Sequence, residues 1–89
     1  MMPAPSSWKI INQKLYKEFV FNSFSDAMNF MNNAIPTIEE MDHHPEWSNI
    51  YNKVMVSLIT HDEEKTTSLD HALAQYLDTL YDAQITAKQ

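Results

Sequence analysis

Residues 47–60 read WSNIYNKVMVSLIT, and this segment predicts a β-hairpin. Residues 53–60 alternate in the two-residue period of a strand with one buried face. Residues 47–51 are predicted to form a second short strand. Asn52-Lys53 is the expected two-residue link, because asparagine tolerates the left-handed backbone that such links require. One predicted face of the longer strand carries Val54, Val56 and Leu58, and the other carries Met55, Ser57 and Ile59.

A second hairpin is predicted upstream of this one. Residues 8–11 are a short apolar run, and residues 14–21 alternate as a strand. The turn between them is expected at Asn12-Gln13. The chain has no glycine, so its tight turns must rely on asparagine, aspartate or proline. The predicted faces of the longer strand are Leu15, Phe19 and Phe21 on one side and Tyr16, Glu18 and Val20 on the other.

The first helix is predicted to begin after Ser23, because residues 23–26 read SFSD, the S-x-x-D form of a capping box. Apolar residues then recur at spacings of three and four, which is the pattern of one helical stripe. Pro36 is expected to kink this helix without ending it, since the stripe keeps its phase. Pro45 is expected to stop the helix. The stripe consists of Ala27, Phe30, Met31, Ala34, Ile35, Ile38 and Met41.

Residues 67–70, TSLD, have the same capping-box form and predict the start of a second helix. This helix is expected to end near Tyr81. Residues 1–7 and 82–89 are then expected to be loose tails. The predicted apolar face of the helix carries Leu69, Leu73, Tyr76, Leu77 and Leu80.

Together these elements predict the order ββαββα. This is an α+β fold in which a four-stranded antiparallel sheet carries two main helices packed on one face. A chain of 89 residues with 44% hydrophobic residues is typical of one globular domain, which we expect to span 1–89. So short a chain has a small core, and oligomerisation would add to its stability.

Charge and composition narrow the classes of function. The chain has 12 acidic residues against six basic ones, all lysines, for a net charge of −6. This balance disfavours direct binding of nucleic acid or of anionic membranes. Without arginine, a neutral or weakly polar ring compound is a better ligand than a nucleotide. The absence of cysteine excludes disulfides and cysteine nucleophiles. No signal peptide or membrane span is visible, so we expect a cytoplasmic protein.

Residues 39–47, EEMDHHPEW, concentrate titratable and aromatic side chains. His43 and His44 are adjacent in this segment, His61 follows the predicted hairpin, and Asp70 lies near the start of the second helix. Histidine changes charge near neutral pH and can both donate and accept a proton. The cluster therefore predicts a small pocket for histidine acid/base chemistry.

Each of these residues also has a structural explanation. A histidine pair suits a helix C-terminus, and adjacent helical residues point about 100° apart, so the two are not expected on one face. Asp70 suits a helix cap. Glu39 and Asp42 would either orient a histidine tautomer or lie in solvent, and Trp47 would either stack on a planar ligand or fill the core.

Three segments together resemble the pterin-4a-carbinolamine dehydratases. They read E-x-x-D-H-H-P-E-W at 39–47, Y-N-K-V-x-V-x-L-x-T-H at 51–61 and T-x-x-D-x-x-L-A at 67–74. Residues 19–30, with the pattern F-x-F-x-x-F-x-x-A-x-x-F, are similar to the family's entry from strand to helix. The resemblance extends over most of the chain, from residue 8 to residue 80.

The resemblance implies a lyase of tetrahydrobiopterin metabolism. It would dehydrate 4a-hydroxytetrahydrobiopterin, or a related 4a-hydroxytetrahydropterin, to the quinonoid dihydropterin without a metal or organic cofactor. By the same resemblance His43, His44 and His61 are the active-site histidines, with His44 and His61 favoured for proton transfer and His43 for holding the pterin. The expected substrate contacts are Glu39, Asp42, Pro45, Trp47, Thr60, Asp62, Glu63 and Asp70, the last as a supporting carboxylate.

Glu64-Lys65 occupy positions where this family commonly has a glycine pair. The resemblance also implies a homodimer or homotetramer, and some animal members act as coactivators. The main alternative is therefore a scaffold or interaction module with weakened catalysis. A histidine metal site is a weaker alternative, because helical metal ligands are usually spaced i, i+4. His71 is expected to be a surface residue.

Overall fold

The computed structural model describes residues 8–87, in which four strands and two helices follow the order ββαββα. All neighbouring strands are antiparallel, and the sheet order is β1-β2-β4-β3. Both helices pack on one face of this sheet, which confirms the predicted α+β class. The elements are β1 Lys9–Ile11, β2 Lys14–Val20, α1 Phe24–Met41, β3 Glu46–Ile50, β4 Lys53–Leu58 and α2 Ser68–Ala87.

The two central strands supply the sheet side of the core. Leu15 of β2 pairs with Leu58 of β4, and Phe19 pairs with Val54. Residues paired across a sheet lie on the same face, so the apolar alternation of the two strands coincides. All four of these side chains are buried, as predicted from the two-residue period.

The hairpin turns are built without glycine. Asn12 and Gln13 both have positive φ, 53° and 67°, which confirms the predicted first turn. The second turn is Tyr51-Asn52, one residue earlier than predicted, and Tyr51 takes the left-handed conformation. The physical reason is a contact with the residue that follows β2: Asn52 Nδ2 donates to the Phe21 carbonyl over 2.8 Å, and Phe21 N donates to the Asn52 carbonyl.

Helix α1 begins at the predicted cap, where Ser23 Oγ accepts a hydrogen bond from Asp26 N. It continues through Pro36, as predicted, and its buried stripe faces the sheet. Its end differs from the prediction. The helix stops at Met41 because Asp42 is left-handed (φ 52°, ψ 41°), before Pro45 is reached. The stripe has one exposed member, Ile35.

Helix α2 is longer than predicted and ends at Ala87, so residues 82–87 are helical and not a loose tail. Two hydrogen bonds hold its last turns against the rest of the fold: Tyr81 Oη donates to the Val20 carbonyl, and Gln84 Nε2 donates to the Asp26 carbonyl. The predicted tail 1–7 and the last two residues lie outside the described part of the chain.

The apolar face of α2 was also predicted wrongly at one position. Leu69 is 44% exposed, whereas Asp70 is fully buried beside Leu73 and Leu77. The helix therefore turns a carboxylate toward the interior in its first turn. No helix within residues 8–87 has the length and apolar character to cross a bilayer.

Candidate active site

Asp70 is the best-connected polar residue at the end of the fold where α1 finishes and α2 starts. Its Oδ1 lies 2.7 Å from His43 Nε2. Its Oδ2 accepts hydrogen bonds from Thr60 Oγ1 at 2.7 Å and from Thr67 N at 2.9 Å. Thr60 and Thr67 also share a hydrogen bond between their hydroxyls. One carboxylate thus joins the segment after α1, the loop after β4 and the start of α2.

The environment of Asp70 favours its ionised form. Burial alone would raise the pKa of this carboxyl, but the hydrogen bonds from His43, Thr60 and Thr67 N outweigh it and hold the pKa below its ordinary value. An ionised carboxylate can only accept, so His43 carries hydrogen on Nε2. The His43 side chain is only 10% exposed, and its ring is held in one orientation.

His44 points away from this buried pair, as expected for adjacent residues. Its side chain is 56% exposed, and its Nε2 lies 3.6 Å from Glu39 Oε2. His61 is also exposed, at 70%, and its Nε2 lies 3.3 Å from Glu46 Oε2. His44 and His61 therefore both have a carboxylate near Nε2, while their rings remain open to solvent.

The loop that carries His61 is held at both ends. Thr60 N donates to the Lys65 carbonyl at 3.0 Å, and Glu64 N donates to the Thr60 carbonyl at 2.8 Å. Because Thr60 also binds Asp70, the residue preceding His61 is two hydrogen bonds from the His43 ring. Glu64 closes this turn with φ 57°. It is one of the two positions at which the sequence resemblance implies glycine.

Sequence reasoning missed Glu46 as a candidate site residue. Its carboxylate lies between His61 and Lys14, whose Nζ is 2.7 Å from Glu46 Oε1. The hydrogen bond from Lys14, with smaller contributions from Lys14 and His61 charge, lowers the pKa of Glu46 despite an opposing effect of burial. The one sequence feature that could have indicated Glu46 is its position two residues after His44, in the segment that reads HPEW.

The remaining predicted site residues lie around this end of the fold with different exposure. Trp47 is partly buried and packs against the core, in agreement with one of its two interpretations. Asp62 and Glu63 are exposed in the turn that follows Thr60, and Pro45 is half-buried. His71 is exposed, as expected. Contact of these residues with a substrate stays a prediction.

Two further features of the described residues bear on the site. Residues 8–87 contain no group of three or more histidine, cysteine or carboxylate side chains arranged to hold a metal ion. A cleft of about 280 Å³ lies between β2 and the last turns of α2, at the opposite end of the sheet. Its walls include Phe21, Asp26, Tyr81 and Gln84 and none of the predicted site residues.

The family model described as "Pterin 4 alpha carbinolamine dehydratase" matches residues 1–80. The chain belongs to this family. A curated relative from Prochlorococcus marinus (strain NATL2A), named "Putative pterin-4-alpha-carbinolamine dehydratase", is 46% identical over 83% of this chain and 78% of its own length. A relative of the same name from Solibacter usitatus (strain Ellin6076) is 44% identical over 84% of this chain and 79% of its own length. The resemblance found in the sequence is confirmed.

Solved structures agree with this membership of the pterin dehydratase family. A crystal structure described as a transcriptional coactivator/pterin dehydratase from Brucella melitensis has a TM-score of 0.81 and 38% identity, covering 83% of this chain and 81% of that one. A pterin dehydratase-like protein described as a RuBisCO assembly factor in the α-carboxysome has a TM-score of 0.69 and 21% identity, covering 84% and 87%. The second similarity concerns the fold alone.

Proposed function

We propose that this chain is a hydro-lyase that dehydrates 4a-hydroxytetrahydrobiopterin, or a related 4a-hydroxytetrahydropterin, to the quinonoid dihydropterin. The observation that carries the proposal is the His43–Asp70 pair, tied through Thr60 to the loop of His61. Membership of the pterin dehydratase family gives the substrate class. The arrangement supplies histidines that differ in exposure and therefore suit different roles.

The reaction needs one proton donor and one proton acceptor. The C4a–O bond breaks as the hydroxyl takes up a proton and leaves as water. N5 loses its proton, and its electron pair forms the C4a=N5 double bond. His44 and His61 suit these proton transfers because their rings are accessible, at 56% and 70% exposure. General acid/base catalysis of this kind contributes about 10²–10⁴-fold.

His43 has a different role in this proposal. Its ring is fixed by Asp70 and is nearly buried, so it suits holding the pterin ring in place. Thr60, Asp62 and Glu63 lie on the loop that would complete the contacts with the substrate. Groups held by packing and by a second layer of hydrogen bonds position a substrate better than groups on exposed side chains.

The test is turnover of freshly generated 4a-hydroxytetrahydropterin, followed as the appearance of the quinonoid product. Wild-type protein should accelerate the reaction above its spontaneous rate. His44→Ala should lower kcat/KM at least tenfold, with an unchanged circular dichroism spectrum. His71→Ala, which removes an exposed histidine of α2, is the matched control and should keep the wild-type rate. Folded wild-type protein without any acceleration would refute the proposal.

A second candidate function is a scaffold or coactivator-type interaction module that keeps the fold with weakened catalysis. Glu64 favours it, because side chains stand at Glu64-Lys65 where the family commonly has glycine, and Glu64 holds a left-handed backbone there. The relative described as a transcriptional coactivator/pterin dehydratase points the same way. A homodimer or homotetramer, joined through the open edges of β1 or β3, is part of both proposals.

A further inference from the structure

Glu46 connects two side chains that come from distant parts of the chain. Its Oε1 accepts a hydrogen bond from Lys14 Nζ at 2.7 Å, and its Oε2 lies 3.3 Å from His61 Nε2. The two oxygens therefore serve different partners. The hydrogen bond from Lys14 lowers the pKa of the Glu46 carboxyl, and the second oxygen faces the imidazole.

The strand register explains how this contact forms. Glu46 pairs with Ser57, and Ser57 pairs with Tyr16, so all three lie on the same face of the sheet. Lys14 is two residues from Tyr16 and shares that face, which is the face without helices. His61 follows the end of β4, the strand hydrogen-bonded to β3.

The backbone of the His61 loop is fixed more firmly than the His61 ring. Thr60 is held by the Lys65 carbonyl and by Asp70, whereas the His61 side chain is 70% exposed. An exposed ring samples several orientations unless a specific partner restrains it. Within residues 8–87, the carboxylate that faces this ring is that of Glu46, at 3.3 Å from Nε2.

We propose that Glu46 is a positioning residue that fixes His61 in the Nε2–H tautomer and so presents Nδ1 to the substrate. A carboxylate can only accept a hydrogen bond, so the Nε2 that lies 3.3 Å from it is stabilised when it carries the hydrogen. In neutral His61 the lone pair then resides on Nδ1, and this nitrogen takes up the substrate proton. In protonated His61 the Nδ1–H is the group that donates a proton to the leaving hydroxyl. The catalytic part of this inference rests on the proposed function.

His43 shows the same arrangement with a hydrogen bond, since its Nε2 lies 2.7 Å from Asp70 Oδ1 and its Nδ1 is the nitrogen that does not face the carboxylate. His44 Nε2 is 3.6 Å from Glu39 Oε2, beyond hydrogen-bond distance, so this contact fixes no tautomer. The charged residues of the loop that carries His61 are all exposed: Asp62, Glu63, Glu64 and Lys65.

The tautomer can be measured without turnover. The chain has four histidines, so the ¹⁵N resonances of their rings are separable by single substitutions, and they distinguish Nδ1–H from Nε2–H. In wild-type protein at alkaline pH, the Nδ1–H fraction of His61 should be severalfold below that of exposed His71. Glu46→Ala should raise it to the His71 level. Higher salt should have the same effect in part, because exposed charge contacts are screened.

Kinetics supply the second readout and its controls. Glu46→Ala should lower kcat about twofold to fivefold, as expected for an exposed charge contact, with KM nearly unchanged. Glu46→Gln keeps an oxygen that can accept from Nε2 and should recover most of the rate. Glu18→Ala is the matched control, because Glu18 lies on the same face of the sheet and its carboxylate is 3.9 Å from another lysine, Lys53. It should change neither readout.

The two proposals fail in different ways. If wild-type protein turns over substrate and Glu46→Ala leaves both the His61 tautomer and kcat unchanged, the positioning role is refuted. If His61 responds to Glu46→Ala as expected but wild-type protein shows no turnover, the proposed function is refuted and the positioning of the ring stands.

Discussion

Replacing Asp70 by asparagine tests whether one buried carboxylate organises this end of the fold. Asp70 is fully buried and accepts from His43, Thr60 and Thr67 N. Asparagine keeps the shape but presents an NH₂ group toward one of these donors. Hydrogen bonds to a charged group contribute about 1.5–3 kcal/mol, and an unsatisfied buried donor costs about 1–3 kcal/mol. We therefore expect Asp70→Asn to lower the free energy of unfolding by about 2–4 kcal/mol.

We expect the variant to fold, because 89 residues at about 0.05–0.15 kcal/mol each give a total of roughly 4–13 kcal/mol, and most of this range exceeds the expected loss. Urea unfolding at neutral pH, with equal m-values, gives the difference directly. Turnover should fall at least tenfold, because the His43 ring loses the acceptor that fixes it. Asp62→Asn, an exposed carboxylate in the neighbouring turn, is the control and should change stability by less than about 0.5 kcal/mol. If Asp70→Asn also changed the free energy of unfolding by less than about 0.5 kcal/mol, the organising role of this carboxylate would be refuted.

The pH dependence of the same pair of proteins gives an independent check. The pKa of Asp70 is lower in the folded protein than in the unfolded chain, where it is about 3.9. At a pH between the folded and the unfolded pKa of Asp70, the unfolded chain binds more protons than the folded protein. Stability therefore falls as the pH drops through this range. The asparagine variant has no carboxyl group at this position, so its stability lacks this dependence on pH. The stability difference between wild type and variant should therefore be full above about pH 4 and shrink below it. A difference that does not depend on pH would contradict the assignment.

The remaining predictions concern backbone conformation and the end of α2. Glu64→Gly should raise the free energy of unfolding by up to about 1 kcal/mol, because a left-handed conformation costs a non-glycine residue about 1–2 kcal/mol and glycine loses more entropy on folding. Glu63→Gly is the control in the same turn, and it should not raise the melting temperature in thermal unfolding. Deleting residues 82–89 should cost about 1–2 kcal/mol in urea, because it removes the hydrogen bond from Gln84 to the Asp26 carbonyl. Unchanged stability would mean that the last turns of α2 contribute nothing.

The strands and helices could be predicted because their signals are local. The alternation around Val54 and the three- and four-residue spacing around Phe30 each need only neighbouring residues to be recognised. The wrong predictions lie where contacts with residues far away in the sequence determine the backbone conformation. Asn52 does not adopt the predicted left-handed conformation because it is hydrogen-bonded to Phe21, just after β2. Residues 82–87 extend the helix, and Gln84 is hydrogen-bonded to the backbone of Asp26.

The candidate site shows the same division. The histidines and Asp70 stood out by residue type and spacing, and the family resemblance grouped them. Hydrophobicity alone put Leu69 on the inner face of α2, but the partners that bring Asp70 inside come from the segment after α1 and from the loop after β4. Glu46 was missed for the same reason, since its contact with His61 depends on how β3 is paired with β4.

The Asp70 carboxylate accepts hydrogen bonds from two places, from Thr67 N at the start of α2 and from the imidazole of His43. Fraying of that turn moves the carboxylate and therefore also removes the acceptor of the His43 ring. On the proposed function, partial unfolding of the helix start should then lower turnover before global denaturation. Amide hydrogen exchange at Thr67 and Asp70 would report how often the start of α2 opens in an otherwise folded molecule.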